Sequence, residues 1–257
     1  MGWTAALSIA FGNLATAMPR LFVPPEKLQG ARATLDAAAH RHLIKVLRLA
    51  PGASIRVFDG KGTEIEARIA AVGKASVDIA LGERRHVPAP ACAVTLLVSP
   101  PRGERMDLIV QKTTELGVAR IVPVVSARGM VKPSPHQRKR WQRIGEEAAR
   151  QSGRADVPEI GDGMALAPAL AQAAAAGGSR FLLWEGERGP SLSRALAAGP
   201  RAVALLVGPE GGFAAEEISL AATAGFASAG LGPRILRSET AAIVAVALAQ
   251  AAAGGLG

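Results

Sequence analysis

One cysteine, Cys92, stands in a chain of 257 residues, so an internal disulfide framework is excluded. Four histidines without Cys-x-x-C spacing argue against a zinc site, and no metal is expected. Neither a Gly-x-x-x-x-Gly-Lys-Ser/Thr phosphate loop nor a Gly-x-Gly-x-x-Gly fingerprint occurs, which removes the two commonest nucleotide-binding signatures. No internal repeat is present, and the Ala-rich stretches are broken by Arg, Gly or Pro before they reach the length of a membrane span. The first 17 residues are mostly apolar, and Ala15-Thr16-Ala17 imitates a secretory cleavage site, but no Lys or Arg precedes the apolar run. A signal peptide needs that positive region. Residues 1–17 therefore read as a disordered extension before a domain starting at Met18, and a soluble cytoplasmic protein is expected.

What the chain does hold is apolar mass and positive charge. Hydrophobic residues make up 49% of it, enough to bury a substantial core as one large or two modest domains. Thirty Lys and Arg against 21 Asp and Glu leave a net charge of +9, which favours a polyanionic partner. Cys92 opens the apolar run 91–98 and reads as a small buried hydrophobe.

Two regions differ in period. From Arg20 to His86 the chain reads as short strands and turns: Leu21 to Val23, a helical stretch from Asp36 to Leu49, Ser54 to Phe58, a turn at Asp59 to Gly62, and a strand pair, Thr63 to Val72 and Ala75 to Leu81. Arg84 to Pro90 is charged and then proline-punctuated, which suits an extended connector. The boundary is placed there, giving domains 18–88 and 89–257. Beyond it, strand candidates Val94 to Val98, Ile121 to Val125, Arg180 to Trp184, Val203 to Val207 and Phe226 to Leu231 alternate with helical stretches. That alternation implies βαβ crossovers and a parallel sheet, an α/β fold. Met106, Ile109, Val110, Thr113 and Leu116 share one helical face, with Gly117 as a left-handed cap. Ser238 suits the N-cap of the last helix, with Glu239 complementing its dipole.

Function concentrates in two loops. Val203 to Val207 has no polar alternation, as in a strand covered on both faces, and runs into Gly208-Pro209-Glu210-Gly211-Gly212. A second loop, Leu231 to Ala241, carries Gly232, Arg234, Arg237 and Glu239. Glycines there leave space for a ligand to touch backbone, and ligands of parallel sheets sit at the strands' carboxyl ends. One such loop alone is an ordinary strand-to-helix turn; two in succession, each with ionisable residues, point to a small-molecule site.

These loops, together with His42 to Arg48, Phe58 to Gly60, Arg102 to Met106, Gln111 to Val118 and Glu147 to Arg154, resemble the RsmE family of ribosomal RNA uridine N3-methyltransferases, over the chain from about Met18 onward. The resemblance implies a SPOUT-type parallel sheet with a C-terminal trefoil knot that binds S-adenosylmethionine, preceded by a PUA-like RNA-binding barrel. It also implies a homodimer acting on 16S ribosomal RNA of the small ribosomal subunit. A SPOUT enzyme acting on transfer RNA and a non-catalytic RNA-binding protein are the alternatives. The motifs at Arg102 and Gln111 and the N-terminal domain favour the ribosomal substrate.

By the same resemblance Leu206, Val207, Gly208, Pro209, Glu210, Gly211 and Gly212, with Leu231, Gly232, Ile235, Leu236 and Arg237, enclose the cofactor. Leu183, Trp184 and Glu185 form a third wall. Uridine N3 attacks poorly until its proton leaves, so a base must take the proton or arginines must stabilise the anion. Glu210 or Glu239 suits the first role, and Arg102, Arg105 or Arg237 the second. Structural roles compete: a loop strut for Glu210, an ion pair with Glu239 for Arg237. Arg20, Arg41, Lys45, Arg48, Arg102, Arg105 and Arg154 are candidates for contact with RNA, whose phosphates dominate affinity. The basic cluster from Arg128 to Arg154, notably Arg138 to Arg140, Arg143, Arg150 and Arg154, is interrupted by Glu146 and Glu147, and part of it also suits a solvated helix surface.

Overall fold

The computed structural model describes residues 18–129, 133–184, 186 and 190–256. The expected extension 1–17 and Glu185 lie outside the described residues. The chain divides into two compact units between Val87 and Pro88.

The first unit is a curled five-stranded sheet. Its elements are β1 (Arg20–Phe22), β2 (Arg32–Leu35), α1 (Ala37–His40), β3 (Ser54–Phe58), β4 (Thr63–Val72) and β5 (Val77–His86), in the order β1-β3-β4-β5-β2. Only β1 and β3 pair in parallel. Alternate residues Ile55, Val57, Ile65, Ala67, Ile69, Val77 and Ile79 face a common core closed by Leu43. The charged stretch Arg84 to His86 is the end of β5 and not a connector: Thr63 pairs with His86 and Glu64 with Arg85. The ten residues of β4 offer partners that far along. The helix expected over 36–49 is also shorter. Asp36 caps α1 by accepting from the amides of Ala38 and Ala39 at 3.1 Å, and the chain then widens into a π-helical turn over Arg41–Val46.

The second unit is a three-layer α/β domain. It comprises β6 (Ala93–Val98), α2 (Arg105–Glu115), β7 (Val118–Val125), α3 (Pro135–Ser152), β8 (Glu159–Ile160), β9 (Met164–Ala165), α4 (Leu166–Ala175), β10 (Ser179–Leu183), α5 (Leu192–Ala195), β11 (Ala202–Val207), α6 (Ala215–Thr223), β12 (Ala227–Ala229) and α7 (Ser238–Ala252). The sheet runs β12-β10-β11-β6-β7-β8, with β9 beside β7, and each of its pairings is parallel. Its strands read as continuous apolar runs because both faces are covered. Leu96, Val203, Leu205 and Val207 meet Met106 and Ile109 of α2 and Ala245 and Val246 of α7. On the opposite face Leu97, Val122, Ala204 and Leu206 meet Leu166 and Leu170 of α4 and Ala221 of α6.

Local chemistry sets the helix ends. Gly117 follows α2 at φ 91°, the left-handed cap expected there. Ser134 and Gln137 form a capping box at the start of α3, and Gly153 ends it at φ 82°. The buried Gln250 of α7 donates to the carbonyls of Cys92 and Gly117, each at 2.9 Å, and accepts from Cys92 N. One amide thus ties α7 to the start of β6 and the end of α2.

Candidate functional site

Three neighbouring strands, β10, β11 and β12, end on one side of the sheet, and the residues that follow them wall a cavity of about 280 Å³. Leu183 and Trp184 come from β10. Val207, Gly208, Pro209, Glu210, Gly212 and Phe213 come from β11 and its turn. Ala229, Gly230, Leu231 and Gly232 lead from β12 into a third segment that continues through Ile235, Leu236, Arg237 and Ser238 to Ala241. This is a crevice at the carboxyl ends of a parallel sheet, where ligands of such sheets sit.

The turn after β11 is built around Gly212. Its amide donates to Pro209 O at 2.9 Å, and its φ of 67° lies in the left-handed region that favours glycine. Gly208 has a different need: a Cβ there would lie 2.9 Å from the Phe213 ring. Gly211 and Leu206, both expected around the cofactor, stand outside the cavity wall. Leu206 points into the core beneath α4 and α6. Gly211 instead offers its carbonyl to Arg128 Nη1 at 3.0 Å. Ala127, beside Arg128, donates to Glu217 Oε1 at 2.8 Å, and Glu217 also receives the amide of Ala214. The loop after β7 therefore braces the glycine turn from behind.

The second loop leaves its backbone open. Among the described residues, the amides of Leu231, Gly232, Arg234, Ile235 and Leu236 donate to no protein acceptor. Backbone donors are normally paired, so a run of open ones on a cavity wall is set for ligand or solvent. Helix α7 adds to it. Arg237, in extended backbone at ψ 152°, occupies the N-cap expected for Ser238, and it supplies no side-chain cap bond. An arginine has no acceptor to offer, so the first amides of α7 keep their partial positive charge toward the cavity. Ser238, 6% exposed, lines that cavity. Its Oγ has no hydrogen-bond partner among the described residues, and neither has Glu239 Oε2.

Charge is organised around Arg105. Its Nη1 donates to Glu210 Oε1 at 2.7 Å, and its Nε lies 3.9 Å from Glu239 Oε1. Arg102 joins the same carboxylate through its backbone, with N at 3.4 Å from Glu210 Oε1, while its side chain is exposed. Arg237 is exposed and makes no ion pair with Glu239, contrary to the structural role weighed for it.

The expected RNA-contacting residues separate into two groups. Lys45, Arg48 and Arg102 are exposed, and Arg105 is partly so. Arg20 and Arg154 are largely buried. Arg20, its side chain 15% exposed, pairs with the buried Glu64 and lies 5.2 Å over the Phe58 ring. Burial, partly offset by Glu64, lowers its pKa from the usual arginine value. Arg154, 10% exposed, donates to Thr114 O at 2.6 Å and Val118 O at 3.0 Å and pairs with Asp156. Both arginines satisfy buried acceptors, so their charge is spent inside the fold.

Pro233 and Arg234 fall inside the stretch 231–236 expected around the cofactor, whereas Ala229, Gly230 and Ser238 were not expected on the wall. Phe213 and Ala241 carried no chemical signal. Arg128 and Glu217 stand 83 and 90 residues from their partners in the brace, and no local pattern could join them. No helix of the described residues is long and apolar enough to cross a membrane, and no cluster of three potential metal ligands occurs among them.

Comparison with known proteins gives two family matches, an RNA methyltransferase domain over residues 88–250 and an RNA methyltransferase PUA domain over residues 35–81. The chain is 36% identical over 232 residues to a ribosomal RNA small subunit methyltransferase E of Synechocystis sp., covering 89% of this chain and 76% of the relative. It is 29% identical to the protein of that name in Bacillus subtilis, over 89% and 94% of the two chains. Among solved structures, a ribosomal RNA small subunit methyltransferase E from Neisseria gonorrhoeae bound to S-adenosyl methionine superposes with a TM-score of 0.83 at 33% identity, covering 91% of this chain and 98% of that one. A methyltransferase from Legionella pneumophila in complex with the same cofactor superposes with a TM-score of 0.82 at 33% identity, over 92% and 98%.

Proposed function

Since the chain belongs to the ribosomal RNA small subunit methyltransferase E family, we propose that it transfers the methyl group of S-adenosylmethionine to N3 of a specific uridine in 16S ribosomal RNA of the small subunit. The observation that carries this reading is the cavity wall of open backbone amides, which meets the uncapped N-terminus of α7 beside apolar side chains. Those features fit the cofactor's parts. Leu183, Trp184, Val207, Leu231 and Leu236 offer apolar surface to a purine, and the amides of Leu231, Gly232, Arg234, Ile235 and Leu236 suit its heteroatoms. The positive end of α7 and Ser238 Oγ suit an anionic oxygen.

The cofactor when bound supplies a methyl group already activated by its sulfonium, so the chain's own work is positioning and proton removal. Gly208, Gly212 and Gly232 keep side chains off the wall. Glu210 is the base in this reading, because it stands on the cavity wall with Arg105 fixing one oxygen. Glu239 is absent from the wall and 8% exposed, which assigns it to holding Arg105. Arg102 and Arg237, both exposed and the second on the wall, stabilise the charge that spreads to the uracil oxygens once N3 is deprotonated. Leu206 and Gly211 support the wall from behind.

The proposal extends to the rest of the molecule. Residues 18–88 form the RNA-binding domain and residues 89–257 the catalytic one, with 1–17 an extension and the path after β12 threaded as a trefoil knot. A homodimer is supported by α7, which buries Ala242, Ala245 and Val246 in its own core and leaves Ile243, Val244 and Leu248 partly exposed. The assembled small subunit in the cytoplasm is the proposed setting. Calorimetric titration with S-adenosylmethionine tests the site: one equivalent bound per chain is expected, and no binding by folded protein would overturn the assignment.

A further inference from the structure

Among the described residues, Val46 and Leu47 are the one adjacent pair of large hydrophobics left exposed, at 64% and 39%. Three features of their setting go beyond composition. They end the π-helical turn Arg41–Val46, where the amides of Leu47 and Leu49 reach back to His42 O and Leu43 O, each at 3.0 Å. Such widened turns recur at functional positions. The buried Leu43 anchors the turn in the sheet core. Next, Arg48 is the one non-glycine residue of the described chain at positive φ, 54°, a conformation that costs energy and persists where surroundings enforce it.

The charges around the pair differ from those of the sheet below. Arg20, Arg56 and Arg85 converge on the single carboxylate of Glu64. Arg41, Lys45 and Arg48 are exposed and make no ion pair among the described residues. Three exposed cations thus share this short turn with two exposed aliphatic side chains.

We infer that this turn is a docking surface for single-stranded RNA, with Val46 and Leu47 covering the face of an unstacked base while Arg41, Lys45 and Arg48 meet the adjacent phosphates. Double-stranded RNA offers phosphates but keeps its base faces stacked away, so it would leave the aliphatic pair without a partner. A single strand offers both surfaces at once. The inference rests on the RNA-substrate reading above and adds to it a place and a mode of contact.

The test is fluorescence anisotropy with a labelled mixed-sequence single-stranded RNA and a duplex of the same length. Val46→Ser with Leu47→Ser should weaken single-strand binding roughly fivefold or more, leave duplex binding as in the parent, and leave the salt dependence unchanged. Arg48→Gly, which relieves the positive φ and so preserves folding, should lower the slope of log K against log salt by about 0.7. A serine variant with parental single-strand affinity, as a protein-docking surface would give, overturns the proposal. So does equal loss on single strand and duplex, or an unchanged slope for folded Arg48→Gly. A parent that binds S-adenosylmethionine but no single-stranded RNA sinks this surface and leaves the cofactor site standing.

Discussion

Arg105 at the start of α2 and Glu210 in the turn after β11 are 105 residues apart in sequence and joined by a 2.7 Å hydrogen bond. The pair couples the cavity wall to a helix that otherwise packs in the core. Because both side chains are more than a third exposed, the bond adds little to stability, about 0–1 kcal/mol. Its larger consequence is orientation. Arg105→Ala should therefore lower kcat by about tenfold to a hundredfold, with melting temperature nearly unchanged and cofactor affinity retained. A large loss of thermal stability would mean the pair is structural.

Glu210→Gln separates base from strut. The amide still accepts from Arg105 but cannot take a proton at neutral pH. Turnover should fall by roughly 10² to 10⁴ with cofactor binding intact. A variant that keeps the parental rate would pass the role to another group.

Two glycines of one turn should respond differently. Gly208→Val should abolish cofactor binding, because a Cβ there already meets Phe213 at 2.9 Å beside the cavity. Gly211→Ala should bind nearly as the parent does, since its Cβ would meet Arg128 at an ordinary 3.4 Å and no positive φ is required. Calorimetry on both variants, after circular dichroism shows them folded, reads the contrast. The reverse order would misplace the site.

Arg20→Ala should damage folding of the first unit. Removing it leaves the buried Glu64 with Arg85 and the more distant Arg56 alone, a loss of about 1–3 kcal/mol visible as a lower melting temperature. An unchanged melting point with weakened RNA binding would return Arg20 to the RNA surface.

Burial raises the pKa of the Glu146 carboxyl, with partial offsets from Gln142 and Arg143. Ionisation then favours the unfolded chain, so any stability tied to the protonated form is complete below the unfolded value of about 4.3 and is lost as pH rises through the folded one. Glu146→Gln should accordingly raise the melting temperature at pH 7.5, with the difference shrinking toward pH 4. A destabilised variant at pH 7.5 would show that Gln142 and Arg143 outweigh burial.

Much of this architecture was legible because it is written locally. The unalternating run Val203–Val207, the glycine turn and the apolar face of α2 each depend on neighbours in sequence. The π-helical turn was not, since Asp36 to Leu49 has ordinary helical composition. Nor was the tying up of Arg20 and Arg154, because their acceptors, Glu64 in one case and the carbonyls of Thr114 and Val118 in the other, lie 36 to 44 residues away. Arg237 displaced Ser238 from the N-cap because the extended loop reaches the helix one residue early.

Small ribosomal subunits lacking methylation should be incubated with the purified protein and isotopically labelled S-adenosylmethionine, and the 16S ribosomal RNA digested to nucleosides for mass spectrometry. Label in N3-methyluridine, at one site, is the expected result, with none when Gly208→Val replaces the parent. Label in a different nucleoside, or no label despite cofactor binding, would contradict the assigned reaction.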